Sequence, residues 1–550
     1  MSNPLKYVTS TPTGTLRHAN LGAGVASIQY DETFNSGLNP SNLTTYYLVY
    51  EPVNGTAVRI YAPANATELI QLAQSKGSTE TTEAGALAWL SDNGYYPANK
   101  VLDNVVTDEL VLALNAGTIT SYPTSGTNWL DLSGEANDGG LDNSPTFDSI
   151  GAIEFDGVDD KINIPNSSTN NISDNFTFSI LVKSSAWTSG NQEGLVQKGG
   201  ISNYGAYLRG GGGTVSFYTS TTSYWAPGPN IGGDGKWYCL TFIYSYSGLG
   251  YKQIYVNGSY SSQLAVSVPI NSNTSDIQIG FAGVGAPKYL NAKVADYKLY
   301  NKVLTQAEIN QNYYQGSIVT DDLHFAMDAS NLVSFEPGTT AAFSLTGSLG
   351  AAAGDGVLKN GVDFSNLGNG AWDFDGVDDY IEGPATNSII GDNLSSITLS
   401  AWVQITGTAA AYLFNCKRSA GASTLVGLTA NYNSSGGQAA GHLGALVRNS
   451  ADTVHNWYSN DGDYDNDGIW HNVAFTATST TNTLYIDGVL ISTDSAGMQT
   501  VSGNTGTITV GSFGTSSWTN GKIACVKLYT RALTAVEVQQ NYNANVKKFT

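Results

Sequence analysis

Cysteine is nearly absent. Three thiols in 550 residues, at 239, 416 and 525, are too few and too far apart to specify a disulfide framework. Cys239 and Cys525 sit inside apolar strand patterns, so the expectation is buried free thiols. Basic residues are also scarce, with 24 Lys and Arg against 45 Asp and Glu and a formal net charge of −21. With no basic run, surface binding to nucleic acid or to an anionic membrane is excluded. No apolar segment approaches the roughly 20 residues of a membrane span. The first residues, Met1-Ser2-Asn3-Pro4-Leu5-Lys6, lack the basic start and apolar run of a signal peptide, so synthesis in a cytoplasm is expected. Of the five histidines, His455 and His471 lie near an acidic stretch, but neither has a Ser or Cys elbow beside it.

What is abundant is Gly (62), Tyr (32) and an apolar fraction of 41%, with only 13% charged residues. That composition builds cores and rules out solvated disorder. A chain of this length should hold several domains.

One hexapeptide organises most of it. Phe155-Asp156-Gly157-Val158-Asp159-Asp160 returns unchanged 219 residues later as Phe374-Asp375-Gly376-Val377-Asp378-Asp379. Each copy lies between alternating apolar runs, and Asp-Gly in that setting predicts a hairpin turn, because Gly adopts positive φ readily. Further matches keep the same order. Leu110–Ala116 answers Leu323–Ala329 as an opening strand, and Phe176–Val182 answers Ile397–Val403. Asp234-Gly235-Lys236-Trp237 answers Asp467-Gly468-Ile469-Trp470, and Tyr255-Val256-Asn257-Gly258 answers Tyr485-Ile486-Asp487-Gly488. Both copies close on Lys-Leu-Tyr and a Leu-Thr-x-x-Glu segment, where Thr305 with Glu308 and Thr534 with Glu537 form a helix capping box. The spacing between copies grows along the chain, so insertions fall in loops while the strands keep their order.

Residues 1–106 stand apart. Strands at 44–50 and 57–61 flank a turn at 52–55, and two short helices open at Asn65 and near Thr82. The polar stretches 9–24 and 35–42 suit an arm lying on a partner. The expected fold is mainly β: a small α+β domain (1–106), then tandem antiparallel β-sandwiches at 107–318 and 319–550.

The repeated motifs resemble the laminin-G-like, concanavalin-A-like jelly-roll family. The resemblance covers most of the chain and implies two lectin-like sandwiches, an architecture that also hosts glycosidases and passive spacers. Hydrolysis needs two carboxylates facing each other across a cleft. The Glu-x-Asp-x-x-Glu strand of jelly-roll glucanases is missing, and Glu308 and Glu537 are explained as caps, so no catalytic residue is expected. The small N-terminal domain and projecting sandwiches also resemble virion structural proteins of tailed bacteriophages. That likeness implies a fibre, appendage or capsid-decoration protein on the virion surface, docked to other virion proteins through residues 1–106. It also implies a homo-oligomer on the particle and host-surface polysaccharide as a ligand. A bacterial adhesin and a polysaccharide hydrolase are the rival readings.

Candidate site residues follow from loops that differ between the copies. Tyr218, Tyr224, Trp225, Trp457, Tyr458 and Tyr464 offer aromatic faces for stacking on sugar rings, or else serve as core. Asp461, Asp463, Asp465 and Asp467 alternate as in the start of a calcium loop, but Asn466 and Asn472 occupy positions where an EF-hand needs Gly and Glu. A solvated acidic turn is the simpler reading. Asp156, Asp159 and Asp160, with Asp375, Asp378 and Asp379, are read as turn-formers capping backbone amides, with calcium ligation as the alternative that the resemblance implies. No cofactor is required on this reading; calcium is the only one suggested.

Overall fold

The computed structural model describes residues 105–549 apart from 119–120, 123, 185–191, 200–202, 211–212, 220–225, 247–249, 268, 271–273, 284–286, 347–354, 366–369, 392–393, 420–422, 433–437, 449–453, 459–467, 496, 499–504 and 515. Of residues 1–104 it describes 5–8, 27–31, 49–54, 57–61, 66–79, 81, 86 and 96–97. Two compact units divide the chain, Met1–Tyr313 and Tyr314–Thr550. Residues 314–318 go with the second unit, where Gln540 Nε2 donates to the Ser317 carbonyl at 2.9 Å.

The N-terminal part holds a five-stranded sheet, ordered Leu5–Val8, Ser27–Asp31, Ala57–Tyr61, Val49–Asn54, Tyr96–Pro97. Ser27–Asp31 runs parallel to Ala57–Tyr61, a pairing the sequence did not announce. The expected first helix forms at Ala66–Ser75. The expected second helix and the polar arms fall largely or wholly outside the described residues.

Each sandwich is two eight-stranded sheets with one strand order. In the first sandwich the sheet carrying the repeated motif runs Ser259–Ala265, Tyr251–Val256, Trp237–Ser245, Asn175–Lys183, Asn291–Tyr300, Ala152–Asp156, Thr146–Asp148, with Leu110–Asn115 also paired to Asn291–Tyr300. Its second sheet runs Ala226–Asn230, Thr214–Thr219, Tyr204–Arg209, Gln192–Lys198, Ile277–Ile279, Lys161–Ile164, Gly139–Asp142, Asn128–Trp129. The second sandwich repeats both orders, its second sheet running Val454–Tyr458, Gln438–Arg448, Ser423–Tyr432, Ala411–Ser419, Thr507–Val510, Tyr380–Ala385, Gly356–Lys359, Ala341–Ala342. Period-two alternation turns Phe176, Phe178, Phe242, Ile162, Ile277 and Ile279 inward in the first sandwich. Leu399, Phe475, Ile381, Ile508 and Val510 do the same in the second. Each fully buried side chain of this size contributes about 1.5–3 kcal/mol of transfer free energy.

The motif does not make the hairpin its Asp-Gly predicts. Ala152–Asp156 pairs with Asn291–Tyr300 in one sheet, whereas Lys161–Ile164 pairs with Ile277–Ile279 in the other. Residues 157–160 therefore carry the chain around a corner between layers. Within the corner, Asp156 Oδ1 accepts the Val158 amide at 2.8 Å, and Asp160 Oδ2 accepts the Asp156 amide at 3.0 Å. These bonds hold the shape of the turn, while the sheet that each flanking strand joins is set by partners more than 100 residues away. The second copy repeats the bonds at 2.7 and 3.1 Å. Phe155 anchors the corner: its ring lies against Gly280, where a Cβ would sit 2.4 Å from Cε1, and Phe374 lies on Gly511 at 2.3 Å. By contrast, Asn257-Gly258 and Asp487-Gly488 are true hairpin turns, with φ of 49° and 74° in one copy and 52° and 76° in the other.

The closing helices are capped as the sequence requires. The Thr305 amide donates to Glu308 Oε2 at 2.8 Å, and Thr534 makes the same bond to Glu537. Arg531 adds a two-pronged ion pair that holds the Glu537 carboxyl down to about 2. Lys302 does similar work at Glu308, whose carboxyl stays below its usual range although burial opposes this. Neither group is poised to donate a proton. Cys416 and Cys525 are buried and Cys239 half-buried, all as free thiols. Among the described residues, no helix is long and apolar enough to cross a membrane.

Candidate functional site

Alternation that turns isoleucines into the core turns their neighbours out. In the first sandwich, Asn163 lies opposite Gln278, Gln278 opposite Gln197, Gln197 opposite Gly205, and Gly205 opposite Tyr218. One straight row of side chains therefore crosses five strands on the face of the second sheet away from the core.

The amides in this row form a ladder. Gln197 Nε2 donates to Gln278 Oε1 at 2.8 Å, and Gln278 Nε2 reaches Asn163 Oδ1 at 3.5 Å. Asn163 Nδ2 then donates to Asp276 Oδ2 at 2.8 Å. The Gly283 amide closes the other end on Gln197 Oε1 at 2.9 Å. A primary amide has two N–H donors and two acceptor lone pairs, so each rung keeps capacity after its ladder bond. Asn163 and Gln278 are half-buried, and Gln197 forms the floor at 5% exposure.

The charged groups near the row are engaged by neighbours. Asp276 also accepts the Asn166 amide at 2.9 Å. Lys198, fully buried, donates to Asn166 Oδ1 and the Ser275 carbonyl at 2.9 Å each, and burial pushes its amine down to about 8. Lys161 meets Asp142 at 3.6 Å and stands 5.5 Å over the Phe281 ring.

An aromatic hairpin flanks the row. Phe281–Ala282 pairs with Lys288–Tyr289, and the Phe281 and Tyr289 rings lie 5.2 Å apart, both half-buried. The hairpin crosses the sheet at Gly194, where a Cβ would come within 2.3 Å of the Phe281 backbone. Tyr218 is not in a loop as its sequence suggested: it lies in strand Thr214–Thr219, 8% exposed, clustered with Tyr207 and Ala282. Strand alternation pairs it with Gly205 in the row's floor, so it offers a buried edge and no open stacking face. Gly205 is small because the Tyr207 ring overlies it, 2.6 Å from where a Cβ would stand.

Tyr224, Trp225, Tyr464, Asp461, Asp463, Asp465 and Asp467 lie outside the described residues. Trp457 and Tyr458 belong to the edge strand Val454–Tyr458, opposite Ala445 and Gly444. Their side chains are not among those described. Asn163, Gln197 and Gln278 escaped the sequence reading as site residues. The polar positions of three strands were visible, but nothing local says that residues 163, 197 and 278 adjoin.

The corner aspartates form the other chemical feature. In each copy three carboxylates, Asp156, Asp159 and Asp160 or Asp375, Asp378 and Asp379, bring oxygens within 4.8 Å of one another. Burial first, then the neighbouring charges, raises Asp160 and Asp379 above the usual carboxylate range. Hard oxygen donors of this kind fit a calcium ion. The carboxylates of Asp156 and Asp160, and of Asp375 and Asp379, also accept the corner's backbone amides.

The family follows from the sequence profile. Residues 156–310 and 375–539, more than half the chain, match the Concanavalin A-like lectin/glucanases superfamily. The protein belongs to that family, through two copies of its domain. No curated protein matches the chain. Solved structures with a similar course include the binding domain of botulinum neurotoxin DC in complex with SialylT, 11% identical over 80% of this chain and 98% of that one, with a TM-score of 0.33. Domains LG4-5 of the mouse laminin alpha1 chain are 13% identical over 72% and 94%, with a TM-score of 0.25. Domain 4 of AbnA, a GH43 extracellular arabinanase from Geobacillus stearothermophilus, in complex with arabinotriose, is 15% identical over 37% and 98%, with a TM-score of 0.29. Likenesses this distant have no bearing on what the present chain binds.

Proposed function

We propose that the protein is a non-enzymatic surface component of a tailed-phage particle that binds host-surface polysaccharide through its sandwiches. The observation that carries the binding half is the amide ladder of Gln197, Gln278 and Asn163 beside the Phe281–Tyr289 hairpin. Sugar hydroxyls both donate and accept, as the spare sites of the ladder do, and their C–H faces suit aromatic rings. The particle half is supported by an unrepeated N-terminal domain ahead of two sandwiches in the chain. In that role residues 1–106 dock to other virion proteins, as a capsid decoration or a fibre component, and the copies assemble as a homo-oligomer.

A binding and not a hydrolytic role is supported by the fate of the repeated carboxylates. Glu308 and Glu537 cap helices within ion pairs, and the corner aspartates turn the backbone. Calcium, held at Asp156, Asp159 and Asp160 and at their second-copy counterparts, would neutralise like charges and stiffen the corners.

Mass spectrometry and imaging of purified particles test the location, and a chain lacking residues 1–106 should fail to incorporate. Normal incorporation of that chain overturns the docking role. Binding of soluble saccharides by the full chain, without release of reducing sugar, tests the rest.

A further inference from the structure

The two sandwiches place different chemistry on the same row. In the second, Glu382 lies opposite Thr509, Thr509 opposite Asn415, Asn415 opposite Gly427, and Gly427 opposite Leu446. The positions of Asn163, Gln278 and Gln197 are thus filled by Glu382, Thr509 and Asn415. Where the first row passes Gly140 and Tyr218, the second has Val357 and Leu446. The glycine at the centre is common to both.

Accessibility differs as well. Asn163 and Gln278 are half-buried and can be reached from solvent. Thr509 and Asn415 are fully buried at 0% exposure, and neighbouring Thr429 is at 1%. The Thr509 hydroxyl is spent on the Ser512 carbonyl at 2.7 Å, and Glu382 is ion-paired to Lys359 at 3.2 Å. Among the described residues Asn415 Oδ1 meets no hydrogen-bond partner, and this row reaches solvent only at its end, through Val357 and the Glu382–Lys359 pair.

We propose that the duplicated chain carries one saccharide-binding face, on the first sandwich, and that its ligand is a neutral, hydroxyl-rich glycan. This rests on the glycan-binding reading above and narrows it. Neutrality follows from the row itself: Lys161 is engaged by Asp142, Lys198 is buried among Asn166, Asn170 and Ser275, and Asp276 is occupied by two N–H donors. A uronic or sialic acid would have to turn to Lys288 on the adjacent hairpin. The second sandwich keeps the fold and has given up the ligand chemistry.

The experiment is calorimetric titration of the full chain with short fragments of dextran and arabinogalactan, and of alginate and polysialic acid, in 50 and 200 mM salt. One site per chain for a neutral fragment is expected, with affinity changing less than twofold between the two salt concentrations. Gln278→Leu and Gln278→Glu should each weaken binding at least tenfold while melting like the wild type. Thr509→Val and Glu382→Gln should leave it within twofold. Two equal sites, a loss caused by the second-sandwich variants, or a salt-sensitive preference for the acidic fragments would overturn the proposal and leave glycan binding standing. No binding of any fragment by the wild type would overturn both.

Discussion

Replacing Lys548 with Met should cost the second sandwich about 3–5 kcal/mol, the usual result of stranding one partner of a buried ion pair. Lys548 Nζ lies 3.1 Å from Asp328 Oδ2, with side-chain exposures of 4% and 9%. It also donates to Ser330 Oγ at 3.1 Å and to Gln315 Oε1 at 3.3 Å. Burial pushes the Asp328 carboxyl up, but Lys548, Ser330 and Lys527 outweigh it and hold the group below its usual range. Met preserves length and apolar bulk, so Phe549 can keep its stacking on Trp402 at 4.3 Å, and the loss isolates the charge. Thermal unfolding of the full chain is the assay. For a unit of 150–250 residues each kcal/mol is about 2–4 °C, so the second sandwich should melt roughly 6–20 °C lower. The first sandwich's transition is the internal reference. A depressed carboxylate contributes stability above its unfolded pKa that is lost as pH falls, so the deficit of the variant should shrink on acidification. Asp328→Asn in the Lys548→Met background should recover most of the loss. A cost under about 1 kcal/mol, or no recovery in the double variant, would refute the reasoning.

Three further outcomes are expected. Gly280→Ala forces positive φ on a residue with a Cβ and drives that carbon into the buried Phe155 ring, costing about 2–4 kcal/mol by denaturant titration; Gly511→Ala should do the same to the second copy. Asp160→Asn removes a carboxyl whose ionisation the fold disfavours, so it should raise the melting temperature in chelator and lower it in millimolar calcium. Equal shifts in both conditions would exclude calcium from that corner. Glu537, held down to about 2, contributes stability present above its unfolded pKa and lost as pH falls from about 4.5 towards 2. The wild type should therefore lose more stability across that window than Glu537→Gln does.

Much of the fold was legible because its signals are local. The capping boxes at Thr305 and Thr534 and the Asn257-Gly258 and Asp487-Gly488 turns each depend on a few neighbouring residues, and all formed as read. The motif at 155–160 departs from the expected hairpin because Asp-Gly specifies a reversal, whereas which sheet receives the next strand depends on partners more than 100 residues away. Tyr218 lies in a strand and not in the expected loop for a related reason. A tyrosine near a polar loop looks exposed until the hairpin at 281–289 is laid across it.

A duplicated, mainly β chain, the order of its strands along the polypeptide, and where helices begin and hairpins turn can all be read from the residues alone. Periodicity and short-range hydrogen bonding suffice for those. That Asn163, Gln197 and Gln278 form one row, with Glu382, Asn415 and Thr509 as its altered counterpart, emerges from the sheet pairing. Lateral order in a sheet is a long-range property, and a row across five strands exists only once those strands have been brought side by side.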